Sequence, residues 1–380
     1  MLSQTQTKLR INKNDIISPI DVNSNIKITN FESERHDFNY NADVSQNRFY
    51  IHNRRYLGSK YKLLNFIHWV TFNIPSKIET VADIFAGTGI IADYFNNDNK
   101  KIIVNDILKS NYIVYNTFFS NDYFDLDKIK NFINDFNNME IEETNYFSEN
   151  FGNSFFTEKN AMKIGNIREQ IEELDDLNFR EKCILITSLL YATDKVANTC
   201  GHYDAYRRSL DMDKDVKLMF PCIKKNNKSN EIYNMDSNEL VKSISADLVY
   251  IDPPYNSRQY GDTYHLLENL ADWKKPEVVG IAKKMKDRSK TKSKYCTVKA
   301  VSAFEELIKK IDSKYILVSY SNMAQKGVGR SNAKISYNEL LEILQTKGDV
   351  EIFACNYKAY TTGKSDISDH KELLYLCNVY

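Results

Sequence analysis

Apolar positions along this 380-residue chain keep two rhythms. Short, largely apolar runs bounded by polar or turn-forming residues occur at Thr80–Phe85, Lys101–Asn105, Glu231–Asp236, Leu248–Ile251, Tyr315–Tyr320, Asp349–Ala354 and Glu372–Cys377. Runs of this length and composition predict strands, several of them covered on both faces. Elsewhere apolar residues recur every three or four positions, which predicts helices. The clearest are Leu63, Leu64, Ile67 and Val70; Ile90 to Phe95; Ile167 to Leu174; Cys183 to Ala197; and Lys299 to Ile311, whose Val301, Phe304, Leu307, Ile308 and Ile311 share one face. Seven strands with intervening helices predict a doubly wound α/β sheet. The last two strands have a Gly/Ser/Asp-rich loop and no helix between them, so an antiparallel hairpin closing the sheet edge is expected, and Ser321-Asn322 marks a turn after the fifth.

Three stretches break the rhythm. Residues 1–45 are rich in Asn, Ser, Asp and Thr and predict a flexible extension, although an arm packed on the body fits the same composition. Residues 110–228 interrupt the strand–helix alternation with Asn/Asp/Glu-rich segments, an amphipathic helix and an apolar one, closing on a stretch that holds Tyr203, Tyr206, Arg207 and Arg208. A largely helical insertion of this length is expected to carry specificity, which leaves 46–109 and 229–380 as the sheet domain. From Lys283 to Lys299 basic residues, Lys290 and Lys292 among them, face a single acid, Asp287. That run suits a phosphate-tracking loop and equally a solvated one.

Composition narrows the classes. Lys plus Arg and Asp plus Glu number 51 each, so any basic surface must be local. Mean hydropathy is −0.51, the first residues contain no apolar leader core, and the most apolar run, Cys183 to Ala192, is too short to span a bilayer. A cytoplasmic protein without membrane contact is expected. The six cysteines lack C-x-x-C spacing and read as reduced thiols. No metal site is expected, Cys200 and His202 being the one close Cys/His pair.

The chemistry converges on Asp252-Pro-Pro-Tyr255, directly after the Leu248–Ile251 run. Pro253 and Pro254 cannot extend a ladder and fix a stiff corner. That corner sits past the carboxyl end of a strand, where ligands of open α/β sheets bind. It offers the Asp252 carboxylate, the Pro253 carbonyl and the Tyr255 ring. A planar base fits, its exocyclic amine donating to the two oxygens and its face against the ring. Upstream, Asp83-Ile-Phe85 runs into Ala86-Gly-Thr-Gly89 and then a helix, the context that a glycine-rich turn needs for close approach to a ligand. Asp106 ends the next strand, where an acid suits two ribose hydroxyls and can also cap a helix. Lys60, in Arg55-Tyr-Leu-Gly-Ser-Lys60, precedes a helix and suits an anionic group, although the pattern alone also fits an ordinary capped helix. Arg207 and Arg208, beside Tyr203 and Tyr206, suit phosphates or bases.

Taken together, Arg55-Tyr-Leu-Gly-Ser-Lys60, Asp83-Ile-Phe-Ala-Gly-Thr-Gly89 and Asp252-Pro-Pro-Tyr-Asn-Ser-Arg-Gln-Tyr260, with Tyr264-His-Leu-Leu-Glu268, resemble in residues and order the D12 class of DNA adenine-N6 methyltransferases, the group of Dam-like and type II modification enzymes. The resemblance runs from about residue 50 to the end. It implies a Rossmann-like methyltransferase sheet and S-adenosylmethionine as cofactor. It places Tyr56, Lys60, Asp83, Phe85, Gly87, Gly89, Asp106, Asp236 and Asp252 around that cofactor. Asp252, Pro253, Pro254 and Tyr255 become catalytic, and Tyr255, Arg258, Tyr260, Arg207, Arg208, Lys290 and Lys292 meet the substrate. The implied reaction is methylation of N6 of a flipped-out adenine in double-stranded DNA, with a cognate restriction endonuclease acting separately and the enzyme a monomer or weak dimer. An RNA adenine methyltransferase and an inactive DNA-binding subunit are the alternatives. A glutamine methyltransferase would carry Asn where Asp252 stands.

Overall fold

A computed structural model of the chain describes residues 28–31, 48–209, 214–227, 229–321, 333–356 and 371–380. The expected extension 1–45, apart from Ile28–Phe31, together with Asn322 and the 357–370 loop, lies outside the described residues. In chain order the strands are β1 (Ile28–Phe31), β2 (Arg48–Phe49), β3 (Thr80–Asp83), β4 (Lys101–Asn105), β5 (Phe220–Pro221), β6 (Glu231–Tyr233), β7 (Ser245–Ile251), β8 (Val278–Val279), β9 (Lys284–Met285), β10 (Asp312–Ser321), β11 (Gly348–Asn356) and β12 (Lys371–Val379). The helices are α1 (Leu64–Phe72), α2 (Ile90–Asn97), α3 (Lys109–Phe119), α4 (Leu126–Asn138), α5 (Tyr146–Phe151), α6 (Glu158–Glu173), α7 (Phe179–Val196), α8 (Ser237–Leu240), α9 (Tyr260–Thr263), α10 (His265–Asp272), α11 (Ala300–Lys310) and α12 (Tyr337–Gln345).

Eight strands form the main sheet in the order β1-β11-β12-β10-β7-β3-β4-β6. All seven strands read from the sequence are there. The eighth, β1, pairs parallel with β11, so Ile28–Phe31 is sheet where the composition suggests only an extension. The final pair is antiparallel as expected. It does not close the edge, however: β12 sits between β10 and β11, antiparallel to both, and β1 takes the outer place. From β3 the chain moves to β4 and β6 on one side, and returns to β7 and β10 on the other. That reversal is the switch point at which doubly wound sheets open a crevice at their carboxyl edge.

Alternation along the buried strands divides the core between two faces. Val81, Leu248, Tyr250 and Leu317 pack with α1, α2, α3, α7 and α10, whereas Ala82, Val249, Ile251, Ile316 and Val318 pack with α11 and α12. The helices of 110–228 bury Ile133, Phe147, Ile164 and Leu189 in the first of these clusters, so the inserted segment shares a core with the sheet. Polar caps fix its helices. Asp125 accepts the first N–H groups of α4, and Asn145 and Asn178 form capping boxes on α5 and α7. Among the described residues no helix is long and apolar enough to cross a membrane.

Candidate active site

The carboxyl edge of β3, β4 and β7 is assembled by register. Asp83 pairs with Val104 on one side and Tyr250 on the other, so the turn after β3, Asp106 after β4 and Asp252 after β7 converge. Backbone bonds continue past the strands, Ile84 N donating to Tyr250 O and Ala86 N to Asn105 O. A cleft of about 950 Å³, partly open to solvent, lies there. Its lining includes every residue expected around a cofactor except Gly89: Tyr56, Lys60, Asp83, Phe85, Gly87, Asp106, Asp236 and Asp252. Pro253, Pro254, Tyr255 and Tyr260 line it too.

The glycine turn is held open for a reason. Gly87 and Gly89 have φ of 52° and 78°, values that disfavour a side chain. A Cβ at Gly87 would lie 3.0 Å from the Tyr56 ring, and one at Gly89 2.9 Å from Ile51 and 3.0 Å from Tyr115. Gly89 is the N-cap of α2 and stands behind the cleft wall, where it lets Ile51 and Tyr115 close in. Asp106 ties the turn down: Oδ2 accepts from Gly87 N at 2.9 Å and Oδ1 from Leu108 N at 2.8 Å. It therefore pins the glycine loop and the entry to α3 together, and burial pushes its carboxyl up. Asp236 caps the short α8 through Asn238 N.

Asp83 is nearly inaccessible, and neither carboxyl oxygen makes a close hydrogen bond among the described residues. Burial pushes it well up and Asp252 and Asp106 add to that, against the Ala92 backbone N–H and the Lys60 ammonium. An orphaned acid on a cleft wall suits a ligand that brings its own donors.

Asp252 meets Lys60 with both oxygens, at 2.9 Å to Oδ1 and 2.8 Å to Oδ2. Burial raises the Asp252 carboxyl to about 6 against the pull of that ammonium, with Glu372 pushing the same way. Burial works against the Lys60 charge as well, but Asp252 and Glu372 hold the ammonium well above its ordinary value. Lys60 thus lines the cleft with its charge committed to two carboxylates, where the sequence pattern suggests one open to an anionic ligand. Tyr255 stands edge-on to Tyr320 at 5.7 Å, and its carbonyl accepts from Lys334 N. Tyr56 stacks on Tyr264 at 4.5 Å and on Tyr260 at 5.5 Å, with the Arg54 guanidinium 5.1 Å from its ring. These rings close the wall opposite the β-strand ends.

The expected outer residues stand elsewhere. Arg207, Arg208, Arg258, Lys290 and Lys292 are exposed and do not line the cleft. Thr291, between the two lysines, does line it, as does Ser293, so the basic loop borders the mouth. Much of its charge is matched: Lys284 pairs with Asp204, Lys286 with Glu277 and Arg288 with Asp262. Tyr203 is fully buried with its hydroxyl donating to Asp194, which takes it away from any phosphate. Residues that the sequence did not disclose include Glu372, Tyr295 and Ser237. Tyr295 crosses Phe85 edge-on at 5.0 Å and donates to Asn238. Its only sequence signal is an aromatic within a basic run. Among the described residues no group of three or more His, Cys, Asp or Glu could hold a metal ion.

Comparison with known proteins adds an independent line. Residues 56–326 match a family described as D12 class N6 adenine-specific DNA methyltransferase. The chain is 30% identical over 333 residues to the type II methyltransferase M.NlaIII of Neisseria lactamica, covering 83% of this chain and 95% of that protein. It is 34% identical over 341 residues to the modification methylase StsI of Streptococcus sanguinis, covering 84% of this chain and 50% of that one. Identity to the type II methyltransferase M.FokI of Planomicrobium okeanokoites is 32% over 348 residues, with 85% and 52% covered. The chain thus spans nearly all of the first relative and about half of the other two.

Proposed function

This chain belongs to the D12 class of N6 adenine-specific DNA methyltransferases, and from that premise we propose that it methylates N6 of an adenine flipped out of double-stranded DNA, using S-adenosylmethionine, as the modification enzyme of a restriction–modification system. The observation that carries this is the shared cleft: the Asp252 corner and the Gly87 turn open into one space. A cytoplasmic enzyme with its cognate endonuclease acting separately is the setting in this reading. Residues 46–109 and 229–380 serve as the catalytic part, and 110–228 as the part that reads the target.

The residues present fit the cofactor. Unsatisfied Asp83 oxygens and a turn with no room for a Cβ suit a polar ligand lying against the backbone. Asp83, Phe85, Gly87, Asp106 and Asp236 would hold it. When bound, it supplies an electrophilic methyl group on a sulfonium.

The chain's own task is positioning and charge. An adenine amine is a weak nucleophile because its lone pair is delocalised into the ring. Asp252 and the Pro253 carbonyl accept its two N–H bonds, favour a pyramidal nitrogen and stabilise the positive charge that develops on it. Tyr255 stacks on the extruded base, and the proline corner keeps acceptors and ring rigid. The proton leaves after transfer, so no group needs to act as a base beforehand. Arg207, Arg208, Arg258, Lys290 and Lys292, standing outside the cleft, serve the phosphate backbone.

Transfer of a tritiated methyl group to duplex DNA and to structured RNA, followed by nucleoside analysis, tests the proposal. Label in N6-methyladenine of duplex DNA is expected. Label confined to RNA, or none in adenine, would overturn it.

A further inference from the structure

Glu372 lies beyond the segment that matches the family, which ends at residue 326, yet it is buried against Lys60, a residue of the cleft wall. The topology explains how. β12 runs antiparallel to β10, with Glu372 opposite Ser321. Its amino end therefore lies at the carboxyl edge of the parallel strands. β10 alone separates β12 from β7, and Lys60, from the loop before α1, bridges the two strand ends. Lys60 Nζ lies 3.4 Å from Glu372 Oε1 as well as within 2.9 Å of both Asp252 oxygens. The side chains of Lys60, Asp252 and Glu372 are 8%, 18% and 6% exposed, so solvent screens the three charges poorly. Ser319 Oγ donates to Glu372 Oε1 at 2.9 Å and holds it in place.

We propose that Glu372 is a positioning residue for the Asp252 corner: by sharing the Lys60 ammonium, it keeps that cation from cancelling the Asp252 carboxylate and leaves one net negative charge on the cluster beside the target amine. This rests on the function proposed above. Two carboxylates against one ammonium sum to minus one. Without Glu372 the Lys60–Asp252 pair sums to zero, and a carboxylate whose charge is cancelled by its own ammonium is a poorer acceptor for a nitrogen becoming cationic. The other titratable groups facing Asp252 are Asp83 at the end of β3, Tyr250 on β7, and Tyr255 and Tyr260 beyond the corner. Asp83, Tyr250 and Tyr260, all pushed well up by burial, favour their neutral forms. Glu372 is then the acid that balances Lys60.

The test reads the carboxyl directly. In protein labelled with carboxyl-13C aspartate, the Asp252 resonance, assigned by its loss in Asp252→Asn, should titrate near 6. In Glu372→Gln the midpoint should fall by roughly one pH unit, because a like charge is removed and Lys60 turns wholly to Asp252. The kcat for methyl transfer should fall roughly tenfold, with KM for DNA little changed. Glu372→Asp, which keeps the buried charge and withdraws it by one methylene, should move the midpoint the same way by less, and it serves if the Gln variant does not fold. An unmoved midpoint in a folded variant, whatever its rate, overturns the proposal. Full methylation by Asp252→Ala would instead defeat the function on which it rests and leave the titration as it is.

Discussion

Asp252 keeps its charge in a place that disfavours charge. Burial lifts its carboxyl to about 6, and the Lys60 ammonium holds it ionised at neutral pH. The acceptor is thus mostly withdrawn from solvent, its side chain 18% exposed, a condition in which its hydrogen bonds are strengthened. In the proposed reading Tyr255, beside it, has a separable role. Stacking requires a ring and no hydroxyl, and base–aromatic stacks are worth ~1–3 kcal/mol. Tyr255→Ala should therefore lower kcat/KM for duplex DNA by roughly tenfold to a hundredfold, while Tyr255→Phe keeps most of it. Steady-state kinetics of the two variants check this, and equal losses would assign the role to the hydroxyl. Asp252 and Tyr255 are legible in the sequence because they are neighbours in one rigid corner. Glu372 and Tyr295 are not: each joins the site through the fold, from positions that no local pattern marks.

The elements that matter are those that end at the cleft. The strand–turn–helix of β3, Gly87–Gly89 and α2 shows up in sequence because its glycines and apolar runs are contiguous. Its tolerance is narrow. At Gly89, φ of 78° and the nearness of Ile51 and Tyr115 leave no space for a methyl group, since both neighbours are buried. Gly89→Ala should destabilise the protein by about 1–3 kcal/mol and weaken S-adenosylmethionine binding, as read by urea unfolding and calorimetry. Unchanged stability would mean that the turn relaxes freely. Other elements escaped the sequence for physical reasons. In α4, only Ile129, Ile133 and Phe136 are buried, a thin stripe within an Asn/Asp-rich segment that reads as polar. β1 is four residues long and gains its place from the parallel edge of β11, a partner more than three hundred residues away in sequence.

Across the whole molecule the charges cancel, so attraction to DNA has to come from local surface. The basic run at the cleft mouth is partly matched by Asp204, Glu277 and Asp262. Exposed Lys290 and Lys292 flank Thr291 at the cleft edge. The seven strands and the helices between them were legible, because strand runs and helical spacing are strong signals in a chain this long. The position of β12 was less so: a two-strand hairpin predicts pairing but says nothing of which strand lies inside. That inner place is what brings Glu372 to Lys60, so in the proposed reading the order of the sheet bears on the chemistry. In the proposed mechanism, methyl transfer depends on the Asp252 carboxylate in an otherwise intact fold. Direct sequencing of N6-methyladenine in DNA from a host expressing the protein tests it. The wild type should methylate every copy of one sequence motif, and Asp252→Ala, folded and present at equal level, should leave that motif unmethylated. Methylation of the motif by the variant at a near-normal level would contradict the account.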